Sequence, residues 1–453
     1  MRQLSRADES LLRILSEQKL RPDVEYVWSQ FVLPYVSGER HVVYNTLTRQ
    51  GWELDKPLAE SFLSEEIEKN DDLKTLMKGY FLVPKQKDEC KFYEGLSQML
   101  RTFRKVKGVR GYTILPTLSC NARCIYCYEE GMKQVTMTPE IVERTIQYIM
   151  ETKGPGKVRI GWFGGEPLLG EAIIDRICEA LSEAGVDFES TMITNASLLT
   201  EEIADKMAGA WKIRHVQVSM DGAERDYVAR KQYQSQQDHY HNAIQAIRLL
   251  AERNISVAVR CNVDEENFGG VPEFLTDLAT GIPNKQKVQV YLAPLNAVRM
   301  CEDDLVTWEK VIKAEDMIRQ AGFGSVSYHG RGIQLRIHHC MADGGSVVIG
   351  PDGSLYPCEH CPEESRFGDI FHGVTNEAAR TDFCRTDQTR EMCRKCAFLP
   401  DCTSFAKCPV YDIHCVEKRR MQFEHGMERM LKAQEQTKGP ELEKTEEEAL
   451  PVC

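Results

Sequence analysis

Three cysteines stand close together in one short stretch, Cys120-Asn-Ala-Arg-Cys124-Ile-Tyr-Cys127. They follow an apolar run, residues 112–116, that predicts a strand, so one loop carries all three thiolates. Thiolates are the ligands of [4Fe–4S] clusters, and three on one loop can hold three corners of the cube. With no fourth cysteine nearby, one iron is left for a small molecule. The alternatives are buried cysteine or a zinc site, but zinc sites normally show two cysteine pairs or added histidines.

The CxxxCxxC spacing, with the aromatic Tyr126 before the last cysteine, resembles the signature of the radical S-adenosylmethionine (SAM) family. The resemblance implies that Cys120, Cys124 and Cys127 ligate a [4Fe–4S] cluster whose open iron binds SAM. It also implies one-electron cleavage of SAM to a 5′-deoxyadenosyl radical, which abstracts hydrogen from the substrate. A reductant such as flavodoxin or ferredoxin is the expected electron donor.

Further elements of the family pattern follow the predicted strands. Gly164-Gly165-Glu166-Pro167 matches the GGEP element, which the resemblance places at the amino group of SAM. Ala196 follows Thr194-Asn195 where the family often has glycine. Arg260 is a candidate for the SAM carboxylate, although a surface salt bridge is an equal alternative. The full set of predicted SAM contacts is Tyr126, Gly164, Gly165, Glu166, Pro167, Thr194, Asn195, Ser219, Asp221 and Arg260.

The elements that position these residues alternate between strand and helix patterns from residue 111 to about 294. Predicted strands cover residues 112–116, 158–163, 187–194, 215–220, 256–263 and 287–293. Alternation of this kind favours an α/β fold in which a parallel sheet curls into a partial (β/α)6 TIM-like barrel. Sites in such barrels lie at the C-terminal ends of the strands, where the cysteine loop follows the first strand.

A second group of cysteines lies near the C-terminus, because nine of the seventeen fall between Cys340 and Cys415. Their spacing resembles the SPASM extension, which carries two auxiliary [4Fe–4S] clusters, except that Cys402 and Cys408 are separated by five residues instead of three. The resemblance implies a first ligand set of Cys340, Cys358 and Cys408, and a second of Cys393, Cys396, Cys402 and Cys415.

The first auxiliary set lacks a fourth cysteine. Related sulfatase-maturing enzymes offer one six residues before the position of Cys340, where this chain has Gln334. Either one iron stays open for a substrate thiolate, or Cys361 or a neighbouring histidine closes the site. The second set has zinc as an alternative occupant, because a CxxC pair with two further cysteines also suits a zinc ribbon.

The chain before the barrel carries no catalytic constellation. Residues 4–20 predict a charged amphipathic helix or an arm, residues 25–34 and 41–45 a hairpin, and residues 57–77 helices. This order is similar to the winged-helix peptide-recognition element of many peptide-modifying radical SAM enzymes, with a stabilising cap as the alternative. The predicted domains are 1–105 (N-terminal, α+β), 106–325 (barrel), 326–420 (SPASM) and 421–453 (charged helix and tail).

Composition restricts the partners. The net charge of −12 disfavours binding along a nucleic-acid backbone. No run of eighteen apolar residues exists, so no membrane span is expected, and early charges interrupt any signal peptide. A cytoplasmic location is therefore expected, in which many cysteines indicate metal binding rather than disulfides.

Two enzymatic functions and one other function compete. The leading hypothesis is a maturase that forms a thioether or carbon–carbon crosslink in a ribosomally made precursor peptide, with the auxiliary clusters as electron acceptors. The alternative is a sulfatase-maturing, formylglycine-generating enzyme, in which Glu359 would replace the family's aspartate as base. A non-catalytic Fe–S scaffold would need no SAM pocket, so the GGEP match disfavours it.

Overall fold

The computed structural model describes residues 1–5, 15, 23–64, 72–103, 107–127, 129, 131, 133–295, 304–325, 345–360, 363–384, 391–402 and 415–437. Its strands are β1 (Arg2–Ser5), β2 (Tyr26–Trp28), β3 (Val32–Ser37), β4 (Arg40–Asn45), β5 (Gly51–Leu54), β6 (Leu82–Pro84), β7 (Gly111–Ile114), β8 (Val158–Trp162), β9 (Phe188–Thr194), β10 (Ile213–Met220), β11 (Ser256–Val263), β12 (Val288–Pro294), β13 (Gly324–Ser325), β14 (Ser346–Ile349), β15 (Ser354–Tyr356), β16 (Gly368–Asp369) and β17 (Gly373–Val374).

The α-helices connect and cover these strands. They span Lys56–Ser64, Asp72–Lys78, Glu89–Phe103, Pro139–Thr152, Glu171–Glu183, Glu201–Ala208, Glu224–Lys231, His239–Glu252, Val271–Gly281, Asp304–Gln320, Glu377–Cys384 and Cys415–Thr437. None of the described helices is both long and apolar enough to cross a bilayer.

The central layer is a parallel sheet in the order β13-β12-β11-β10-β9-β8-β7, with helices between successive strands. This confirms the predicted α/β fold, and each of the six predicted strands is present with its ends shifted by no more than two residues. Side chains on β8 alternate between buried and less buried positions, because successive side chains point to opposite faces of the sheet and one face is more buried than the other. The helix Pro139–Thr152 begins as its sequence predicts, because Thr138 caps it and proline occupies its first turn.

The sheet continues beyond β7 into the C-terminal part of the chain. β14 pairs with β7 in parallel, from Ser346 opposite Gly111 to Ile349 opposite Ile114. β15, β16 and β17 then extend the sheet as antiparallel strands. β14, which is separated from Cys358 by β15, is therefore hydrogen-bonded to the strand that precedes the CxxxCxxC loop.

The N-terminal part forms its own four-stranded sheet in the order β1-β5-β4-β3. The predicted hairpin is present as β3 and β4, with Gly38 at φ +60° in the turn, but Tyr26–Trp28, the start of its first predicted strand, form β2 and pair with β6 instead. The first residues of the predicted helix over 4–20 differ from expectation, because Arg2–Ser5 pair as an edge strand with β5. Residues 6–14 and 16–22 lie outside the described part of the chain.

This N-terminal unit packs against the last part of the chain. Leu399 lies in one buried cluster with Phe31 and Tyr80. The helix Cys415–Thr437 adds Met427 and Leu431, which pack with β4 in a separate small cluster. That helix also runs through the predicted boundary between residues 420 and 421, because Cys415 is its first residue.

Candidate functional site

The CxxxCxxC loop begins after β7 and is held by backbone hydrogen bonds from the end of the helix Glu224–Lys231. The Arg123 amide donates to the Lys231 carbonyl at 2.9 Å, and the Ile125 amide donates to the Arg230 carbonyl at 3.0 Å. All three cysteine side chains are half-buried and free of disulfides. The loop conformation is therefore specified by the surrounding barrel.

The two glycines of the GGEP element approach the start of this loop closely. The Gly165 amide donates to the Thr117 carbonyl at 3.1 Å, and the Glu166 amide donates to the Ser119 carbonyl at 2.9 Å. A Cβ at Gly165 would stand 2.4 Å from the Ser119 oxygen, and one at Gly164, whose φ is +119°, 2.3 Å from the Thr117 oxygen. Only glycine fits at these two positions, because real Cβ atoms do not come so near to a carbonyl oxygen.

Glu166 is fully buried, and its carboxylate is already occupied by protein donors. It accepts hydrogen bonds from the Thr194 hydroxyl (2.7 Å), the Asn195 amide (2.8 Å) and the Leu168 amide (3.1 Å). Burial raises the pKa of Glu166, and these hydrogen bonds oppose that rise. The carboxylate therefore joins the ends of β8 and β9. Its predicted contact with the amino group of SAM stays a prediction, as does any ligand contact of Pro167, which opens a 3₁₀ turn.

The turn after β9 reaches back to the cysteine loop. The Asn195 side-chain amide donates to the Asn121 side-chain oxygen at 2.9 Å, and Asn121 donates to the Ser197 hydroxyl at 2.8 Å. Ala196 stands between them at φ +60°, which explains why glycine is common at this position in the family. The structure thus brings the predicted Thr194–Asn195 pair beside Cys120, whose sulfur lies 4.0 Å from the side-chain amide nitrogen of Asn195.

Asp221 is the centre of a buried polar network at the end of β10. The Tyr126 hydroxyl donates to its two carboxylate oxygens, at 2.6 and 2.7 Å. Asn262 donates to the same carboxylate at 2.9 Å and to the Tyr126 oxygen at 3.0 Å. Asn267 donates to the Asp221 backbone carbonyl at 2.9 Å. The structure thus brings together Tyr126 and Asp221, which were both predicted as site residues. Sequence reasoning gave Asn267 no role, because a lone asparagine after a strand is typical of a turn.

Ser219, Asp221 and Lys231 form the next part of the site. Lys231 Nζ donates to the Ser219 hydroxyl at 3.0 Å and lies 4.0 Å from Asp221 Oδ2. The lysine is almost completely buried. It was absent from the predicted site, because Arg-Lys-Gln at a helix end is typical of a solvated surface.

The thiols of the loop sit in a protein environment that favours their neutral form. Burial raises the pKa of Cys120 to about 11 and also raises the pKa of Cys124, although the Lys231 charge opposes the rise at Cys124. Iron binding replaces the proton by a stronger positive charge and so favours the thiolate. Three thiols on a loop backed by two obligatory glycines fit a [4Fe–4S] cluster with an open corner.

Arg260 lies on β11, where its Nε donates to the Asn262 side-chain oxygen at 3.0 Å. One carboxylate oxygen of Glu359 is buried without a hydrogen-bond partner in the described structure. The roles predicted for Arg260 and Glu359 stay predictions.

Four of the C-terminal cysteines surround one cavity. Cys393, Cys396, Cys402 and Cys415 line one small cavity together with Leu399 and Arg419. Burial and the three neighbouring cysteines together raise the pKa of Cys415 to about 11. Four thiols around one cavity fit either a [4Fe–4S] cluster or a zinc ion. Cys340, Cys408, Cys361 and Gln334 lie outside the described residues, so the first auxiliary ligand set stays a prediction.

The comparisons with known proteins concern the part of the chain that carries this site. Residues 114–278 match the model of the radical SAM superfamily, and the chain therefore contains a radical SAM domain. The superfamily consists of enzymes. The solved structure of native anSMEcpe with bound AdoMet shares the fold, with a TM-score of 0.57 and 17% identity, over 72% of this chain and 100% of that one.

The curated relatives match a smaller part of this chain. An uncharacterized protein of Methanocaldococcus jannaschii is 26% identical over 172 residues, which are 38% of this chain and 58% of that protein. The antilisterial bacteriocin subtilosin biosynthesis protein AlbA of Bacillus subtilis is 22% identical over 271 residues, 56% of each chain. The chain thus spans about half the length of the curated relatives it matches.

Proposed function

We propose that this protein is a radical SAM enzyme that modifies a ribosomally made peptide, forming a thioether or carbon–carbon crosslink. The observation that carries the proposal is the CxxxCxxC loop, which the GGEP glycines and the end of the helix Glu224–Lys231 fix beside the Asp221 network. Similarity to AlbA, a protein of bacteriocin biosynthesis, supports a peptide substrate. The anSMEcpe fold has also been solved with a bound Kp18Cys peptide.

Each group of residues in the site has its own role. When a [4Fe–4S] cluster and SAM are bound, they supply a 5′-deoxyadenosyl radical that abstracts hydrogen. Cys120, Cys124 and Cys127 hold the cluster. The two glycines bring the GGEP backbone close to the loop, where its carbonyls can accept from the SAM amino group.

The Asp221 network and Ser219 lie beside the cysteine loop and would orient the ribose and the amino-acid portion of SAM. Arg260 is the candidate for the carboxylate.

Oxidation of the substrate radical requires an electron acceptor. The four-cysteine site of Cys393, Cys396, Cys402 and Cys415 would serve as one auxiliary cluster, and Cys340, Cys358 and Cys408 would hold the other. A flavodoxin or ferredoxin would deliver the electrons that start each turnover.

The test is anaerobic incubation of the reconstituted protein with SAM, a reductant and a candidate precursor peptide. We expect 5′-deoxyadenosine together with a peptide that has lost two mass units by mass spectrometry, because crosslinking removes two hydrogens. Absence of 5′-deoxyadenosine under all reducing conditions would contradict the enzymatic proposal and leave the Fe–S scaffold.

A second candidate is formylglycine generation in a sulfatase. One observation favours it: Glu359 follows Cys358 and has a carboxylate oxygen that is buried without a described partner, as a base awaiting substrate would. Incubation with a cysteine-containing sulfatase peptide distinguishes the two. Formylglycine and loss of the thiol would support this candidate, whereas retention of sulfur in a crosslink would support the first.

A further inference from the structure

Lys231 ends the helix Glu224–Lys231, yet only 2% of its surface is exposed. The preceding residue, Arg230, is also buried, but its charge is paired with Asp264 at 2.5 Å and with Glu266 at 3.6 Å. Removing an ammonium group from water costs several kcal/mol unless the protein compensates for it. A buried lysine at this place therefore needs nearby groups that interact favourably with its positive charge.

The groups around the ammonium belong to the SAM and cysteine site. Nζ donates to the Ser219 hydroxyl at 3.0 Å, approaches Asp221 to 4.0 Å, and lies 5.9 Å from the ring centre of Tyr126. The backbone carbonyl of the same residue accepts from the Arg123 amide in the cysteine loop. Lys231 thus touches the loop with its backbone and the Asp221 network with its side chain.

Asp221 compensates for this charge only in part. Its carboxylate already accepts from Tyr126 and Asn262, while the ammonium stands 4.0 Å away, beyond hydrogen-bond distance. A lysine has three donors, and the described residues supply one hydrogen bond, to Ser219. The ammonium also faces the ring of Tyr126, which stands in the loop between Cys124 and Cys127. The positive charge therefore lies beside the cysteine loop.

We propose that Lys231 is a positioning residue whose fixed positive charge stabilises the reduced state of the cluster held by Cys120, Cys124 and Cys127. This rests on the proposed function. A [4Fe–4S] cluster with three thiolates is an anion, and the electron from flavodoxin or ferredoxin makes it more negative. A buried cation close to the ligands offsets that added charge, and charge and hydrogen bonding around a cluster set its potential. The lysine also holds Ser219 and Asp221 in place for SAM.

The experiment is a redox titration of the reconstituted full chain, followed by electron paramagnetic resonance. Lys231→Met keeps the length of the side chain and removes the charge, and we expect its reduction equilibrium constant to fall at least about tenfold. Lys231→Arg keeps the charge and should stay near the wild-type potential. Lys157→Met removes a half-exposed lysine charge of the barrel, paired with Glu189, and should leave the potential unchanged.

Two results overturn the proposal. One is a Lys231→Met variant that contains the full complement of iron and sulfide and has the wild-type potential. The other is equal cluster loss in Lys231→Met and Lys231→Arg, because the positive charge would then not be the property that matters. Cluster loss in Lys231→Met alone would support the proposal. Failure of the wild-type protein to cleave SAM would contradict the proposed function, whereas the potentials of the variants test Lys231 alone.

Discussion

The two cysteine sites are built in opposite ways. The CxxxCxxC loop is held by backbone hydrogen bonds to the GGEP turn after β8 and to a helix end, and by a side-chain hydrogen bond to the turn after β9, so elements of the barrel specify its shape. The four-cysteine site consists of two short 3₁₀ turns and the first residue of a helix. Elements this short have little stability of their own, so packing and metal binding must supply it.

The second site also contacts the N-terminal unit. The Thr46 hydroxyl and the Gln30 side-chain amide donate to the carbonyls of Ala397 and Arg394, within the turn region between the cysteines. Leu399 is buried in the core of the N-terminal unit, and Cys393 and Cys396 pack against that core. The first site therefore depends on the barrel, and the second depends on the N-terminal unit.

Replacing Cys120, Cys124 and Cys127 with alanine should have the largest effect and separate the two sites. We expect SAM cleavage to stop completely and about one cluster's worth of iron and sulfide to be lost, because the remaining cysteines belong to other ligand sets. The far-ultraviolet circular dichroism should stay unchanged, since the barrel already fixes the loop. Continued 5′-deoxyadenosine formation by this variant would refute the assignment of the loop.

Gly165→Ala should damage the first site through the backbone alone. The new Cβ would meet the Ser119 oxygen at 2.4 Å, and overpacking of this kind costs about 1–3 kcal/mol. We expect a lower melting temperature and weaker retention of the SAM-binding cluster, measured by differential scanning fluorimetry and iron analysis.

Gly95→Ala is the matched control for that change. Gly95 lies in the helix Glu89–Phe103, where nothing stands within 4 Å of a new Cβ. Alanine should stabilise this helix by about 0.5–1 kcal/mol. A Gly165→Ala protein as stable and as iron-rich as Gly95→Ala would show that the close approach does not matter.

Leu399→Ala tests the dependence of the second site on its neighbour. A leucine that is 6% exposed costs about 2–5 kcal/mol when truncated to alanine. We expect faster hydrogen exchange in β3 and β4 and easier loss of iron from the four-cysteine site, with uncoupled SAM cleavage retained.

The half-exposed Leu169 supplies a control in the barrel. Leu169→Ala should change the free energy of unfolding by no more than about 0.5 kcal/mol. If Leu399→Ala left hydrogen exchange in β3 and β4 at the rate seen in Leu169→Ala, the N-terminal unit would not depend on this contact.

Ala196→Gly should have the smallest effect. Glycine relieves a left-handed backbone that costs about 1–2 kcal/mol for alanine, but it loses a buried methyl group of about 0.8 kcal/mol and adds about 0.5–1 kcal/mol of chain flexibility. These contributions cancel, so chemical denaturation should give a free energy of unfolding within about 0.5 kcal/mol of the parent. A large gain in stability would mean that Ala196 is strained more than its φ of +60° indicates.

The local sequence pattern was sufficient to predict the strands of the barrel and the cysteine loop. β-rich runs between helix patterns predicted the six strands, and family motifs placed Gly164 and Gly165 where the backbone leaves no room for a side chain. The strand Arg2–Ser5 was missed because its partner, β5, lies far along the chain, and such pairing leaves no local signal.

Residues whose role depends on burial were also missed. Lys231 stands in a polar sequence, and only the fold shows that the helix end turns it inward against Ser219. Glu166 was predicted from its motif, but its three hydrogen bonds to protein donors give it a positioning role that no sequence pattern specifies.

The pairing of β14 with β7 has a consequence for electron transfer. Neighbouring strands lie about 4.8 Å apart, and separating them breaks a row of hydrogen bonds. β14, which is followed by β15 and then by Cys358, is therefore fastened along four residue pairs to β7, which leads to the CxxxCxxC loop. If Cys358 and the CxxxCxxC loop each bind a cluster, the backbone pairing of this sheet limits any change in the distance that an electron crosses between them.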